Sequence, residues 1–357
     1  MKTLKVSIIL LAFLLAAMVM VPMVNAKEQA TTGANAQLPH LQPDDTQQKT
    51  VIHNGFSLSN GDNMTALPEG AIIQHSIDGV TRVFDSNGKQ LSVSNDVDSP
   101  KIPTPNGYIV ADMINHIPNG ALVQDNDNGT ANVYLNNQRI LTVLSPPTHE
   151  TITANAAYAG GHIEYGWVPS VPTLSQFNAF WQVPATPTNN QTGATDFLYT
   201  GIEPPSKQDI VQPLLFYQNQ EWNAYAYYVD SSGGAFEGDR LYPAENDMME
   251  GTLEWNPSLN AWQIMITDDN TVQTSSVFSV SAPDIGTTDD AVYCALEAYN
   301  FNNNNDLPGT TTFEDMTAWD TNYHLIYFTW STWQSTNYGL SNLGVTANGM
   351  NYVTLST

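Results

Sequence analysis

One glutamate stands inside an apolar run in the last third of the chain. Glu297 directly follows Val292–Leu296, a segment whose side chains favour burial. A carboxylate buried without partners is costly, so its position predicts a chemical role. Such a group can take a proton from water and return it to a leaving group, which is general base and acid chemistry. The competing interpretation is a carboxylate on the solvated face of an ordinary strand.

The sequence lacks the motifs of several common classes of hydrolase. There is neither a Gly-x-Ser-x-Gly elbow for a serine nucleophile nor a His-Glu-x-x-His pair for zinc. Asp230–Gly233 has one residue too many for an aspartic-dyad motif, and Cys294 lies in an apolar run typical of core packing. Carboxylates and amides remain as the reactive groups, and neither a metal nor a cofactor is expected.

Short strands are the elements that must position these groups. Between residues 157 and 357, apolar runs alternate with turn residues, and no amphipathic helix of ten residues is evident. Gly251–Trp255 and Ala261–Thr267 flank a turn and predict a hairpin, and the aromatic run Tyr323–Trp330 predicts a further strand. The pattern favours an all-β fold, an antiparallel β-sandwich of the concanavalin-like or jelly-roll type.

An ungapped internal repeat with a period of 50 residues precedes this region. Leu67–Gln74 matches Ile117–Gln124, and the match continues to Val93 and Val143. Short apolar runs separated by Asp-Gly and Asn-Gly turns predict β-hairpins. We therefore expect a tandem-repeat β module over 51–144 that packs on itself or on the following domain. It could serve as a prosegment or as a permanent spacer.

The amino terminus predicts export. Lys2 and Lys5 precede the apolar run Val6–Met20, and Val24–Ala26 supplies small residues for cleavage. The run is shorter than the roughly 20 residues that span a bilayer, so we expect a secreted, extracellular chain without membrane contact after processing. The predicted organisation is a signal peptide (1–26), a polar disordered segment (27–50), the repeat module (51–144), a linker (145–156) and a catalytic domain (157–357).

The charge of the chain is strongly negative. It carries 35 acidic against 10 basic residues, and from residue 151 onward 22 acidic residues face only Lys207 and Arg240. Such a surface repels phosphate backbones, which excludes ordinary nucleic-acid binding. Carboxylates with ordinary pKa values near ~4 become protonated at pH 3–4, and their mutual repulsion then falls. The composition therefore favours a protein adapted to acid.

Seven short stretches follow one another in a distinctive order between residues 157 and 317. They are Phe177–Pro184, Thr200–Glu203, Ile210–Gln212, Glu221–Tyr228, Tyr293–Tyr299, Leu307–Gly309 and Thr311–Phe313. In order and spacing they resemble the eqolisin-type glutamic peptidases. The resemblance implies an endopeptidase acting on polypeptides, with Gln212 and Glu297 as the catalytic pair. It also implies substrate contacts from Glu203, Trp181, Trp222 and Tyr299.

The sequence departs from that family at several positions. The family has Asp where Glu203 stands, and a tryptophan with no counterpart in Phe197–Tyr199. The glutamate of the strand after the glutamine is replaced by Tyr227 or Tyr228. These changes bear on substrate preference. Neprosin-type peptidases use two glutamates, and Gln212 favours the glutamine–glutamate version.

The roles implied for the pair are chemically consistent. Hydrolysis of an amide needs an activated water, a stabilised oxyanion and a protonated leaving nitrogen. Glu297 can exchange the proton, since an ordinary glutamate titrates near pH ~4.3. Gln212 cannot titrate, so its NH₂ group can donate to the oxyanion while its carbonyl orients the water. The competing interpretation makes Gln212 an ordinary strand residue.

Two alternatives belong to other functional classes. The chain has 8 Trp, 16 Tyr and 12 Phe, and acidic β-sandwiches often bind sugars through stacked rings. A non-enzymatic carbohydrate-binding sandwich is therefore one alternative. A glycosidase that uses Glu221 and Glu297 as paired carboxylates is the other. We expect a monomer in each case.

Overall fold

A computed structural model describes residues 67–357, except 97–98, 100, 106, 127, 146–159, 190–193, 206–208, 231–232, 271–273, 283–284 and 287–289. The predicted signal peptide, the polar segment and all of the predicted linker after Ser145 lie outside the described residues. Those that are described belong to one compact unit, residues 40–357. No helix within this part of the chain is long and apolar enough to cross a membrane.

The described residues form strands joined by turns, with two 3₁₀ helices of three residues at Ala111–Met113 and Asn304–Asp306. The strands are β1 (Ala71–His75), β2 (Val80–Phe84), β3 (Gln90–Asn95), β4 (Lys101–Thr104), β5 (Gly107–Val110), β6 (Ile114–His116), β7 (Leu122–Asn126), β8 (Thr130–Leu135), β9 (Gln138–Leu144), β10 (Gly160–Val171), β11 (Leu174–Gln182), β12 (Thr195–Glu203), β13 (Ile210–Gln218), β14 (Glu221–Val229), β15 (Ala235–Glu237), β16 (Met248–Asn256), β17 (Ala261–Asp268), β18 (Thr274–Ser281), β19 (Asp290–Tyr299), β20 (Thr311–Asp320), β21 (Ser331–Gln334), β22 (Gly344–Asn348) and β23 (Tyr352–Ser356).

Two large sheets pack face to face, and the predicted all-β sandwich is confirmed. The larger sheet has 13 strands in the order β22-β23-β20-β11-β16-β17-β18-β7-β8-β9-β1-β2-β3. The smaller has eight, in the order β21-β10-β19-β12-β13-β14-β15-β6. β13 and β14 of the smaller sheet contact β16 and β17 of the larger sheet. Buried side chains of both sheets, such as Leu215 and Ile264, fill the space between them.

Both repeats join the sheets of the candidate catalytic region. Each repeat contributes a three-stranded antiparallel meander, β1–β3 and β7–β9. The two meanders pair in parallel through β1 and β9, and β7 pairs in parallel with β18. Between the repeats, β6 adds to the edge of the smaller sheet beside β15. The segment therefore shares backbone hydrogen bonds with both sheets.

Local sequence signals gave one correct and one wrong strand assignment in the carboxyl-terminal region. The predicted hairpin is confirmed as β16 and β17, which pair from Met249–Asp268 to Asn256–Ala261. The strand predicted at Tyr323–Trp330 is wrong, because this segment forms a turn and an irregular stretch with a single bridge. Tyr323 and Tyr327 are exposed there, whereas the Trp330 indole donates to the carbonyl of Met350 at 2.8 Å. Aromatic content indicated a strand, but no neighbouring strand pairs along the segment.

Buried carboxyls make the stability of the fold depend on pH. Burial raises the pKa of Asp125 to about 7, of Glu164 to about 8 and of Glu237 to about 7. Asp125 also lies near the charge of Asp230 and accepts a 2.6 Å hydrogen bond from the Tyr228 hydroxyl. A raised pKa means that the folded chain binds the proton more tightly than the unfolded chain. The resulting stabilisation is complete below about pH 4 and is lost as the pH rises through the folded values.

We therefore expect a higher unfolding temperature at pH 4 than at pH 7, by several degrees. Each pKa unit corresponds to about 1.4 kcal/mol of differential stability. Calorimetry on the wild type and on Asp125→Asn tests this. The variant should gain stability at pH 7 and change little at pH 4, whereas Asp78→Asn, in an exposed turn, should follow the wild type. A steep loss of wild-type stability between pH 6 and pH 4 would show that carboxylates paired in the folded state dominate instead.

Candidate active site

The two candidate catalytic residues lie on the face of the smaller sheet that is turned away from the larger sheet, here called the outer face. Along β13, Val211 and Leu215 pack into the core between the sheets, whereas Leu214 packs into a second buried cluster. Because side chains of a strand alternate between its two faces, Gln212 lies on the outer face with Leu214. By the same alternation Glu297 lies on the outer face of β19.

Glu297 is completely buried, and the side chains of Tyr199, Tyr299 and His162 contact its carboxylate. Tyr199 of β12 donates its hydroxyl to Oε1 at 2.8 Å, and Tyr299 donates to Oε2 at 3.0 Å. The imidazole Nε2 of His162, on β10, lies 2.9 Å from Oε1 and 3.2 Å from the Tyr199 hydroxyl. Hydrogen bonds of this kind compensate for the desolvation of a buried charge.

The two tyrosines remain donors over the whole acidic and neutral range. Burial and then the neighbouring charge of Glu297 raise the pKa of Tyr199 and of Tyr299 well above the ordinary value. Both phenols therefore keep their protons at acidic and neutral pH. The predicted site residue Tyr299 thus contacts the carboxylate of Glu297 directly.

Gln212 is also buried, with 2 % of its surface exposed. Its amide oxygen has no hydrogen-bond partner among the described residues. Gly201 of β12 provides the space for this side chain, because a Cβ at that position would lie 3.1 Å from Cγ of Gln212. A buried amide oxygen without a partner is unusual and is a natural site for a water molecule or a substrate group.

Gln212 and Glu297 flank the same strand, β12, from its two sides. Glu297 pairs with Phe197, and the register of β12 with β13 places Gln212 across from Gly201. This offset of four residues corresponds to roughly 13 Å along the strand. Tyr199 lies between the two positions on the same face. For both groups to act on one carbonyl, their side chains must approach each other over Tyr199.

A hairpin from the segment between the repeats covers this part of the outer face. It consists of β4 and β5, and Ile102 and Tyr108 belong to the same buried cluster as Tyr199. The ring of Tyr108 makes an edge-to-face contact with Tyr299 at 5.2 Å, and its hydroxyl donates to Asn300 at 2.9 Å. This hairpin explains why the outer face around Glu297 is inaccessible to solvent.

The outer face continues beyond the hairpin as a partly open aromatic surface. There Tyr293 donates a short hydrogen bond to the carboxylate of Glu203, and both residues are half-buried. Tyr165 stacks on Trp333 with ring centres 4.9 Å apart and lies 5.8 Å from Trp167. Glu203, predicted to contact substrate, therefore lies at the accessible end of the face.

Two of the residues predicted to contact substrate, Trp181 and Trp222, lie in the core between the sheets and not on the outer face. Trp181 is fully buried in the core between the sheets, where its ring lies 5.3 Å from that of Phe313. Trp222 belongs to the same core and packs against Tyr217 at 5.2 Å. Both indoles fill the sandwich because strand alternation turns them inward. Neither can contact a substrate on the outer face.

The carboxylates proposed for a glycosidase are far apart. Glu221 is exposed at the start of β14, and three strand-to-strand steps separate β14 from β19. At about 4.8 Å per step, the two backbones lie roughly 14 Å apart. Paired glycosidase carboxyl groups are separated by about 5–9.5 Å. The backbones of Gln212 and Glu297 are no closer, because two strand-to-strand steps of about 4.8 Å add to their offset of roughly 13 Å along the strand, so backbone separation does not distinguish the two pairs.

Sequence reasoning missed His162 and Tyr199 as members of the site. His162 follows two glycines outside any motif, and Tyr199 is one aromatic among many in its strand. Only the pairing of β10 and β12 with β19 brings both side chains to Glu297. Among the described residues no group of three or more His, Cys, Asp or Glu side chains is arranged to hold a metal ion.

Comparison with known proteins gives structural neighbours of low similarity. No family model and no curated protein matches the chain. A scytalido-glutamic peptidase bound to a peptide-based transition-state analogue is 12% identical over 56% of this chain and 99% of its own, with a TM-score of 0.42. SCP-B, of the eqolisin peptidase family, in complex with the tripeptide Ala-Ile-His, is 13% identical over the same shares, with a TM-score of 0.39. The CBM2 module of the evolved Dit protein of Lactobacillus casei BL23 phage J-1 is 10% identical over 51% of this chain and 79% of its own, with a TM-score of 0.25.

Proposed function

We propose that this chain is a secreted acid endopeptidase of the glutamic type. The observation that carries the proposal is a fully buried carboxylate, Glu297, that shares the outer face with Gln212, whose buried amide oxygen has no hydrogen-bond partner among the described residues. A buried carboxylate held by two phenols and an imidazole is expensive to maintain for structure alone. Perturbed ionisable groups on one face are typical of functional sites.

Glu297 is the general base and then the general acid. As a carboxylate it removes a proton from the attacking water, and the hydroxide adds to the substrate carbonyl. The proton then passes from Glu297 to the leaving nitrogen as the carbon–nitrogen bond breaks. Tyr199 and Tyr299 fix the orientation of the carboxylate through their hydrogen bonds of 2.8 and 3.0 Å. Their protons stay in place because the pKa of each phenol is raised.

Gln212 stabilises the oxyanion. Its NH₂ group donates to the negative oxygen of the tetrahedral intermediate, and its amide oxygen orients the water. Because an amide does not titrate, this contribution is the same at pH 3 and pH 7. The side chain of Gln212 packs directly over Gly201, where a Cβ would lie 3.1 Å from its Cγ atom. Glu203, at the accessible end of the face, is proposed to contact the substrate.

The proposal is tested by supplying a denatured protein at pH 3–4 beside a panel of polysaccharides. Peptide products are expected, and neither chelators, serine reagents nor thiol reagents should reduce their formation. A carbohydrate-binding function is the second candidate, because Tyr165 and the 39 % exposed Trp333 form a stacked aromatic surface. Binding or cleavage of a polysaccharide without any peptide product would favour that candidate.

The segment that carries β4 and β5 is proposed to be part of an inhibitory prosegment. It covers the outer face, so a substrate cannot reach Glu297 until the hairpin leaves. Acidification is therefore expected to release a chain that begins between Ser145 and Gly160, a range that includes the predicted linker (145–156). The removed part would include both repeats.

Mass spectrometry after incubation at pH 3–4 follows this processing. The wild type should be shortened in step with a rise in activity, and Glu297→Gln should stay intact if the chain processes itself. Tyr108→Ala, which removes the contact with Tyr299, should be processed faster, whereas Ile77→Ala, at an exposed position of the first repeat, should not. An intact chain with full activity after prolonged exposure to acid would contradict the proposal and favour a permanent spacer.

A further inference from the structure

His162 makes a contact that neither the glutamine–glutamate pair nor the implied roles require. Its Nε2 atom lies 2.9 Å from Oε1 of Glu297 and 3.2 Å from the hydroxyl of Tyr199. The ring also makes an edge-to-face contact with Tyr165 at 5.3 Å. The side chain of His162 is 35 % exposed, whereas that of Glu297 is completely buried. The imidazole is thus the member of the cluster that exchanges protons with solvent.

We infer that His162 is a positioning residue that holds the Glu297 carboxylate and keeps it ionised in acid. This inference rests on the proposed function of Glu297. Below about pH 6.5 an ordinary imidazole is protonated, and both ring nitrogens then donate hydrogen bonds. An imidazolium at 2.9 Å places a positive charge beside a buried carboxylate that would otherwise favour its neutral form. The general base therefore remains available at a lower pH than burial alone would allow.

Phenols from several elements lie around the pair. They are Tyr165 from β10, Tyr199 from β12, Tyr299 from β19, Tyr108 from the hairpin, Tyr227 from β14, and Tyr338 from the carboxyl-terminal region, whose hydroxyl donates to the Gly160 carbonyl. These side chains are neutral in acid, so none of them adds a charge that opposes the attraction between the imidazolium and the carboxylate. The hydroxyl of Tyr199 lies within reach of both partners. In acid it has only Glu297 as an acceptor, because a protonated imidazole accepts no hydrogen bond.

The pH dependence of kcat/KM on a peptide substrate tests this role in His162→Gln and His162→Ala. An opposite charge at this distance shifts the titration of a carboxyl by about one unit or more. The acid limb of the profile should therefore move up by about one pH unit in both variants. His162→Gln, which keeps a hydrogen-bond donor, should retain kcat at the new optimum, whereas His162→Ala should lose about tenfold. His324→Gln, at an exposed histidine beside Asp320, is the matched control and should show no shift.

A spectroscopic measurement separates failure of this inference from failure of the peptidase proposal. The His162 imidazole is titrated by NMR in the wild type and in Glu297→Gln, which requires no activity. Loss of the carboxylate should move the imidazole titration down by about one pH unit. An unchanged imidazole titration, or an unmoved acid limb in an active His162→Gln enzyme, would overturn the inference. A chain that lacks peptidase activity but shows the imidazole shift would refute only the proposed function.

Discussion

Glu297→Gln is expected to leave the fold intact and to remove nearly all peptidase activity. The substitution conserves the shape of the side chain, and the Tyr199 and Tyr299 hydroxyls can reorient toward an amide. The amide neither takes a proton from water nor returns one to the leaving nitrogen. Removal of general acid–base catalysis typically costs about 100- to 10,000-fold in rate. The measurement is kcat on a denatured protein or a peptide at pH 3–4, with circular dichroism to confirm folding.

The matched control is Glu221→Gln, an identical chemical change at an exposed carboxylate of the same sheet. It should keep peptidase activity, because Glu221 lies three strands away from Glu297. A glycosidase that used both carboxylates would lose activity on its polysaccharide in either variant. Full peptidase activity in Glu297→Gln would remove Glu297 from the mechanism.

Gln212→Ala is expected to reduce turnover by about 100- to 1000-fold, the usual cost of losing one oxyanion donor. The loss should be independent of pH, since the amide does not titrate. Gln218→Ala, on the same strand and the same face, removes an amide that bonds Thr195 and should change kcat little. A small effect of Gln212→Ala, comparable to that control, would contradict the oxyanion role.

Gln212→Glu tests the same position through the pH profile of the activity, which Gln212→Ala is not expected to change. It adds a second carboxylate to the face that holds Glu297, with little change in volume over Gly201. Like charges oppose joint ionisation, so one of the two carboxyls titrates at a higher pH. Residual activity should therefore show a shifted pH profile. An unshifted profile would mean that the two side chains do not meet over Tyr199.

Much of the fold could be predicted from local patterns. Two apolar runs around Asn256–Asn260 gave the β16–β17 hairpin, and the repeat of 50 residues corresponds to two similar meanders. These signals are local, because turn residues and alternation act over a few positions. The parallel pairing of β7 with β18 could not be predicted from the sequence, because it joins segments more than 150 residues apart. The strand predicted at Tyr323–Trp330 does not form, because residues with high β propensity become a strand only when a neighbouring strand pairs with them.

Only the part of the candidate site that depends on local sequence could be predicted. A glutamate in an apolar run identified Glu297, and its complete burial agrees with that signal. A resemblance between short stretches does not reveal which face a side chain occupies, so Trp181 was expected to contact the substrate although it fills the core. His162 and Tyr199 became visible only through the order of β10, β19 and β12 in the sheet. The covering hairpin likewise depends on contacts between distant segments, such as Tyr108 with Tyr299.

The most direct test of the central claim is a search for new amino termini in a denatured protein incubated with the acid-treated chain at pH 3–4. Mass spectrometry should detect many internal cleavages with the wild type and essentially none with Glu297→Gln prepared in parallel. A chelator should leave the wild-type pattern unchanged. The absence of new termini with the wild type, equal cleavage by Glu297→Gln, or abolition by the chelator would contradict a glutamic-type peptidase.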